Sequence, residues 1–386
     1  MSVELSGNGD SYAAVTLPLT PYEMLDTLDK LRMMPQDEPD WEICGFLAHR
    51  ELHDWIGSGS VYELNALCRK LSELNPQEST VFEGLVEMEK DKGLKIIPMH
   101  RLLDLAYSTG QCHLLDDVHN AEQLGRFAAE NGFVPEADDL SDKAFELLDF
   151  KKIGERFMRG EGGVIVRGGY VAQDGDLAQD VWKTLDLTPR KPDYTILVEL
   201  IAPDPNDNVK LVLPAPPAEL DAAMALTGAH ELSEAPCLCL DCRAPALRDA
   251  ITDANSLADA CRAADQLAAL SESQLKIFRA LITAMEVTEL GAALDFAERI
   301  DEYLLSPEMR TFEETAEYDL RFCLGDEAAE VLLPHVNLYQ YGRALQEREQ
   351  FALTDYGRVQ RVDCQPLMAE NQKEQPTMGG MEMTQG

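Results

Sequence analysis

Two stretches of the chain resemble one another without a gap. Residues 150–171 read FKKIGERFMRGEGGVIVRGGYV, and residues 338–359 read LYQYGRALQEREQFALTDYGRV. At this constant spacing of 188 positions, Gly154 aligns with Gly342. In both stretches a helical pattern is followed by β-branched and apolar residues around a glycine turn. The pattern predicts a helix that leads into a β-hairpin, twice in one chain.

Two further blocks precede this match in the same order. Glu63–Arg69 aligns with Ser256–Arg262 at a spacing of 193, and Leu17–Pro21 resembles Leu213–Pro217. Three blocks in one order indicate a tandem duplication with small insertions. We therefore expect one repeat over residues 1–180, a second over 190–364 and a disordered tail over 365–386.

Each predicted repeat begins with short strands and a helix, continues through a helical middle and ends in the hairpin. The expected strands are Ala13–Leu19, Tyr194–Ile201 and Val209–Leu213, the expected helices are Pro21–Leu31 and Pro217–Leu226, and the helical middles span 61–130 and 255–303. The sequence therefore predicts an α+β fold: two elongated tandem repeats, each made of small α/β subdomains that flank a helical middle.

The chain carries a large excess of negative charge. Its 386 residues include 70 Asp and Glu against 33 Lys and Arg, a net charge of −37, yet 45% of the residues are hydrophobic. A disordered acidic chain lacks the apolar residues needed for a core, so this composition indicates a folded protein with an acidic surface. Its partners are expected to be basic, and direct binding to nucleic acid is disfavoured.

Cysteine usage and hydropathy suggest a cytoplasmic protein. The nine cysteines are irregularly spaced, as expected for reduced thiols, and no apolar stretch reaches the length of a membrane span. Cys237, Cys239 and Cys242 place three soft ligands close together, with His230 or Cys261 as a fourth, so a zinc site is one interpretation. Alternating Cys and Leu also describes a buried strand, and the sequence leaves the two interpretations open.

The second copy of the repeated stretch resembles the C-terminal signature of the ArdA antirestriction proteins. The resemblance is carried by Leu338–Leu345 (LYQYGRAL), followed by Phe351–Gly357 (FALTDYG), and by Val61–Leu67 (VYELNAL). Each half of the chain is about the size of one family member. The first half departs from the signature, with Ile153, Gly154 and Glu155 where the family has Tyr-Gly-Arg.

The resemblance implies an acidic mimic of B-form DNA, encoded by a mobile element, that occupies the DNA-binding groove of type I restriction-modification enzymes. Neither an enzymatic activity nor a cofactor is expected. Because duplex DNA carries one charge per ~1.7 Å, 37 charges correspond to roughly 60 Å of duplex. The acids expected to form the partner-binding surface are Glu83, Glu87, Asp116, Asp117, Glu136, Asp138, Asp139, Glu313, Glu314, Glu317, Asp319, Asp326 and Glu327.

Other functions stay open at this point. In one alternative, the protein inhibits a different target with a basic groove, such as a CRISPR effector or another nuclease. In a second alternative, the protein is an acidic adaptor that binds a basic protein without resembling DNA. The family resemblance further implies homodimers formed through the C-terminal portions. A duplicated chain is then expected to act either as a monomeric pseudo-dimer or as a homodimer.

Overall fold

The computed structural model describes residues 1–9, 11–45, 52, 55–94, 96–137 and 140–367. The chain divides into two units. Unit 1 comprises Met1–Leu19 and Leu31–Arg190, and unit 2 comprises Thr20–Lys30 and the chain from Lys191 onward. Most of the predicted tail, from residue 368, lies outside the described residues.

Unit 1 begins with a three-stranded antiparallel sheet in the order β2-β1-β3. Val3 and Leu5 of the central strand are buried beneath it. The first elements of the chain are β1 (Ser2–Ser6), β2 (Tyr12–Thr16), α1 (Pro21–Lys30) and β3 (Asp40–Gly45). Although α1 lies between β2 and β3 in the sequence, it belongs to unit 2.

The middle of unit 1 is largely helical. Two successive helices begin with capping boxes, at Ser60 with Glu63 and at Asn75 with Glu78, which satisfy backbone amides at each helix start. A second antiparallel sheet, in the order β4-β6-β5, follows. The elements are α2 (Val61–Glu73), α3 (Pro76–Asp91), α4 (Met99–Ala106), β4 (Cys112–Leu115), α5 (Ala121–Glu130), α6 (Asp142–Phe145), α7 (Phe150–Glu161), β5 (Val164–Val166) and β6 (Gly169–Gln173).

Unit 2 is built from a similar succession of elements. Its first sheet has the order β8-β7-β9 and its second the order β10-β12-β11, both antiparallel. The elements are β7 (Ile196–Leu200), β8 (Val209–Leu213), α8 (Pro217–Thr227), β9 (Cys237–Cys242), α9 (Arg248–Ala254), α10 (Leu257–Ala269), α11 (Glu272–Ala284), α12 (Leu290–Glu298), β10 (Tyr303–Ser306), α13 (Phe312–Leu324), α14 (Asp326–Leu332), α15 (Leu338–Glu349), β11 (Ala352–Thr354) and β12 (Gly357–Arg361).

A large apolar core organises unit 2. Ile196 and Val198 of β7, Phe278 of α11 and Tyr303 of β10 belong to one continuous buried cluster. Because this cluster takes side chains from both sheets and from the helices between them, it holds the whole succession together. The exposed faces of those helices are then available for charged side chains.

In each unit, a glycine allows two helices to pack closely. A Cβ atom on Gly154 of α7 would lie 1.8 Å from the Ala121 carbonyl oxygen of α5. A Cβ on Gly342 of α15 would lie 2.1 Å from the Phe312 carbonyl oxygen of α13. The two glycines aligned in the repeated stretch therefore permit the same kind of close helix approach.

The turns of the two terminal hairpins are also alike. Gly169 has φ +142° and Gly357 has φ +137°, and at each a Cβ would collide with the carbonyl oxygen that ends the neighbouring strand. Only glycine adopts this backbone conformation readily. The requirement explains why the repeated stretch keeps glycine at both positions.

The expected α+β class is confirmed. The predicted starts of two helices, at Pro21 and Pro217, and of one strand, at Val209, were accurate. The prediction of a helical middle was wrong over Cys112–Leu115, because these residues form strand β4 and pair with β6. Ser60 and Ser256, which lie close to the upstream aligned blocks, are both helix N-caps.

Candidate functional site: the acidic surface

Two acids predicted in unit 1 lie along the rim of a groove. Glu83 and Glu87 are half-buried residues one turn apart on α3 and line a groove of about 920 Å³ together with Glu161. Glu87 pairs with Lys90 at 2.6 Å, so part of its charge is compensated within the helix. The groove is lined by acidic side chains together with the basic side chains of Lys92, Arg159 and Arg167.

Three more of the acids predicted in unit 1 lie on exposed turns. Asp116 and Asp117 are exposed directly after strand β4, and Glu136 is exposed in a short 3-10 turn. Glu136 lines a separate pocket of about 480 Å³. Asp138 and Asp139 lie outside the described residues.

The predicted acids of unit 2 lie on α13 and α14, but several of them make contacts within the fold. Glu314 accepts hydrogen bonds from the backbone amides of Arg310 at 2.6 Å and Thr311 at 3.1 Å, so it completes a helix cap. Glu317 and Asp326 lie 2.8 and 3.5 Å from the guanidinium of Arg321. These three carboxylates serve the fold at least as much as a partner.

Asp319 is similarly engaged. The Tyr341 hydroxyl donates a hydrogen bond of 2.5 Å to it, which together with burial raises the pKa of Tyr341 to about 12. By contrast, Glu313 and Glu327 are exposed, with no ion-pair partner among the described residues. Of the six acids predicted in unit 2, these two best fit a partner-binding role.

The acids of helix α1 are used internally within unit 2. Asp26 is buried and lies 3.3 Å from Arg279, and Asp29 lies 2.9 Å from Lys276. Glu23 pairs with Arg248. One side of α1 is therefore neutralised by basic side chains of unit 2, and its carboxylates are not available to a partner protein.

A second buried carboxylate anchors the segment at the start of α1. Asp241 of β9 accepts hydrogen bonds from the Thr20 hydroxyl at 2.6 Å and the Tyr194 hydroxyl at 2.7 Å. Burial raises the pKa of Asp241, while these donors act to lower it. This acid too belongs to the fold rather than to the acidic surface.

The cysteines of β9 form part of a buried strand. Cys237, Cys239 and Cys242 are buried in the core of unit 2. Burial raises the pKa of the Cys237 thiol to about 11, which keeps that thiol protonated. Across the described part of the chain, no group of three or more Cys, His, Asp or Glu side chains is arranged to hold a metal ion. The arrangement is that expected for the buried-strand interpretation.

The structure also shows an acidic surface that the sequence did not single out. Helices α9, α10 and α12 contact one another, and Gln266 of α10 donates a hydrogen bond of 2.9 Å to Glu298 of α12. This three-helix acidic face carries exposed carboxylates that have no ion-pair partner among the described residues. They are Asp253, Asp265 and Asp295 on these helices, with Glu286 and Glu289 just before α12.

These acids were missed because they are far apart in the sequence. The prediction favoured acids adjacent in the chain, whereas on α12 the exposed positions Gly291, Asp295 and Glu298 recur at helical spacing. The sequence signal was the position of these polar residues on the helix face opposite buried Leu290, Leu294 and Ala297. Packing of α9, α10 and α12 against one another places the helices that carry these acids side by side.

No described helix combines the length and the apolar character needed to cross a membrane. No protein-family model matches the chain. No curated protein is significantly similar to it.

Proposed function

We propose that this chain is a DNA-mimic antirestriction protein that occupies the basic DNA-binding groove of a type I restriction-modification enzyme. The supporting observation is the set of exposed carboxylates on packed helices, above all on the three-helix acidic face, that have no ion-pair partner in the part of the chain that the structure describes. In this proposal the protein acts in the cytoplasm as a stoichiometric inhibitor and catalyses no reaction. The mobile-element origin implied by the ArdA resemblance belongs to the same proposal.

The mechanism follows from electrostatics. A groove lined with Lys and Arg binds phosphates mainly through charge, so it also attracts carboxylates held at fixed positions. Residues four positions apart on a helix are separated by about 6 Å along its axis. Because packed helices hold their carboxylates before binding, little conformational entropy is lost when the groove closes on them.

The tandem duplication is part of this proposal. Both units contain a three-stranded antiparallel sheet, a helical middle and a second three-stranded sheet, with the close helix approaches at Gly154 and Gly342 and the glycine turns at Gly169 and Gly357. Two copies of one scaffold would present two acidic bodies in one chain. This doubling supports a target that binds an extended length of duplex.

A competition experiment separates this function from its alternatives. Purified protein is titrated into a type I restriction-modification enzyme bound to labelled duplex DNA. A DNA mimic displaces the duplex, whereas an acidic adaptor that binds elsewhere leaves it in place. Repeating the titration with a CRISPR effector or another nuclease shows whether the mimicry is directed at a different target.

A further inference from the structure

Unit 1 contains a pocket of about 550 Å³ that lies apart from the acids predicted to bind a partner. Tyr62 of α2 and Trp182 near the end of the unit line it with aromatic rings, and Glu38 and Glu63 line it with carboxylates. Within the described part of the chain, its lining includes no Lys, Arg or His. We call this site the Tyr62–Trp182 pocket. A pocket of this size, with apolar walls and a few polar groups, is typical of a binding site.

The aromatic side chains of the pocket are held in place by the fold. Tyr62 is 8% exposed, and its hydroxyl donates a hydrogen bond of 2.5 Å to the carbonyl oxygen of Asp37. Trp182 lies in a short 3-10 turn that is tied to α4, because the backbone amide of Val181 donates a hydrogen bond of 2.9 Å to the buried carboxylate of Asp104. Little conformational entropy is therefore lost when a ligand enters the pocket.

The charge of the pocket is negative. Glu38 is exposed and has no ion-pair partner among the described residues. Glu63 is fixed by a hydrogen bond of 2.9 Å from the backbone amide of Ser60. Burial, together with the charges of Glu38 and Asp37, raises the pKa of Tyr62 to about 12, so both carboxylates act on the Tyr62 hydroxyl. The pocket therefore favours a cation.

The aromatic lining favours an organic cation over a metal ion. Aromatic rings attract organic cations through their π faces. The amino group of Lys183 already lies 5.5 Å from the centroid of the Trp182 ring, and Asp180 balances its charge at 2.8 Å. A guanidinium group suits the pocket best, because its plane stacks on aromatic rings and its N–H groups form paired hydrogen bonds with a carboxylate such as that of Glu38.

We propose that the Tyr62–Trp182 pocket binds an arginine side chain presented by another protein chain. In the bound state the guanidinium stacks on the aromatic lining and pairs with Glu38. The inference stands on the pocket and does not require the proposed function. A DNA-binding groove lined with Lys and Arg is one source of such an arginine, and a second copy of this chain is another.

The test titrates the full chain with capped five-residue peptides of Gly that carry Arg, Lys or citrulline at the centre. Citrulline keeps the shape of the Arg side chain without its charge. Nuclear magnetic resonance follows the indole N–H signals of the three Trp residues. The signal of Trp182, identified by its absence in Trp182→Leu, should shift with the Arg peptide. This peptide should bind about tenfold more tightly than the citrulline peptide.

Two variants localise the binding. Glu38→Gln should weaken binding of the Arg peptide about fivefold, because it removes one exposed ion pair. Trp182→Leu should weaken it by a similar factor, because an apolar wall remains but the π face is lost. The control is Glu42→Gln, which makes the same change of charge at an exposed residue outside the pocket and should bind like the wild type.

The same variant identifies the protein that supplies the arginine. Weaker binding of Glu38→Gln to a type I restriction-modification enzyme assigns the arginine to the proposed target, and weaker self-association assigns it to a second copy. The peptide titration needs neither protein, so its outcome is independent of the proposed function. Equal binding of the Arg and Lys peptides, an unmoved Trp182 signal, or equal losses in Glu38→Gln and Glu42→Gln would indicate general attraction to an acidic surface and would overturn the proposal.

Discussion

The Tyr356 hydroxyl donates a hydrogen bond of 2.8 Å to Asp26, a residue 330 positions earlier in the chain. Asp26 is buried on α1 and also lies 3.3 Å from Arg279. Burial and the neighbouring carboxylate raise the pKa of Tyr356, so its hydroxyl remains a donor. A helix near the N-terminus is thus a structural part of unit 2.

Replacing Asp26 should destabilise the protein strongly. Asp26→Asn keeps an acceptor for Tyr356 but removes one of the two carboxylates, Asp26 and Asp29, that lie 3.3 Å from buried Arg279. Leaving a buried charged group partly unpaired costs roughly 1–3 kcal/mol. The free energy of unfolding in urea measures the effect. Exposed Asp295→Asn serves as the control and should change stability by less than about 0.5 kcal/mol. Equal stability of both variants and wild type would refute a structural role for α1 in unit 2.

Alanine at the two aligned helix-crossing glycines should be destabilising. In Gly154→Ala and Gly342→Ala the new methyl group meets a backbone carbonyl oxygen, which forces the helices apart at a cost of about 1–3 kcal/mol. Gly291→Ala on α12 is the matched control, because no atom lies within 4 Å of its Cβ position. This control should gain about 0.5–1 kcal/mol from helix propensity. Thermal unfolding distinguishes the loss of stability expected for Gly154→Ala and Gly342→Ala from the gain expected for the control.

Stability should depend on pH through Glu89 of α3. Burial acts to raise the pKa of Glu89, but hydrogen bonds from Arg101 at 2.5 Å and Lys92 at 3.0 Å outweigh it and lower the pKa. Ionised Glu89 therefore stabilises the fold above its unfolded-state pKa of about 4.3, and the contribution is lost as the pH falls through the lower folded-state pKa.

Comparing wild type with Glu89→Gln isolates this contribution. The variant should be less stable than wild type at pH 7, and the difference in free energy of unfolding should shrink toward pH 3. A difference of the same size at both pH values would show that Glu89 contributes through packing rather than charge.

The three-helix acidic face should act as an ensemble. Neutralising Asp253, Asp265, Glu286, Glu289 and Asp295 together, with Asn or Gln, should weaken binding to the target and reduce the steepness of its salt dependence. Each single substitution should change affinity only about twofold. Calorimetric titration across salt concentrations measures both effects. A single residue that alone accounts for the whole loss would instead indicate a discrete site.

Elements with a strong local sequence pattern were predicted correctly. Helical periodicity and proline placed the starts of α1 and α8, and alternating apolar residues placed β8 and the terminal hairpins. Strand β4 was missed because four residues between helices carry too little periodicity to compete with their surroundings. The three-helix acidic face required tertiary packing of α9, α10 and α12, which no local pattern records.

The paired acids illustrate the same limit. Glu314 and Glu317 look alike in sequence, as two acids on one helix, yet one caps the helix and the other holds Arg321. The packing of α1 into unit 2 also depends on partners more than 200 residues away in the chain, such as Asp241 and Tyr356. A single sequence gives composition and local periodicity, and these contacts depend on neither.

The most direct test of the central claim is the salt dependence of DNA displacement. The inhibition constant for displacing labelled duplex from a type I restriction-modification enzyme is measured at 50 and 200 mM salt. DNA mimicry predicts that the protein displaces the duplex at low salt and that its affinity for the enzyme falls at least tenfold at 200 mM. Binding that leaves the duplex in place, or displacement that is insensitive to salt, would contradict the account.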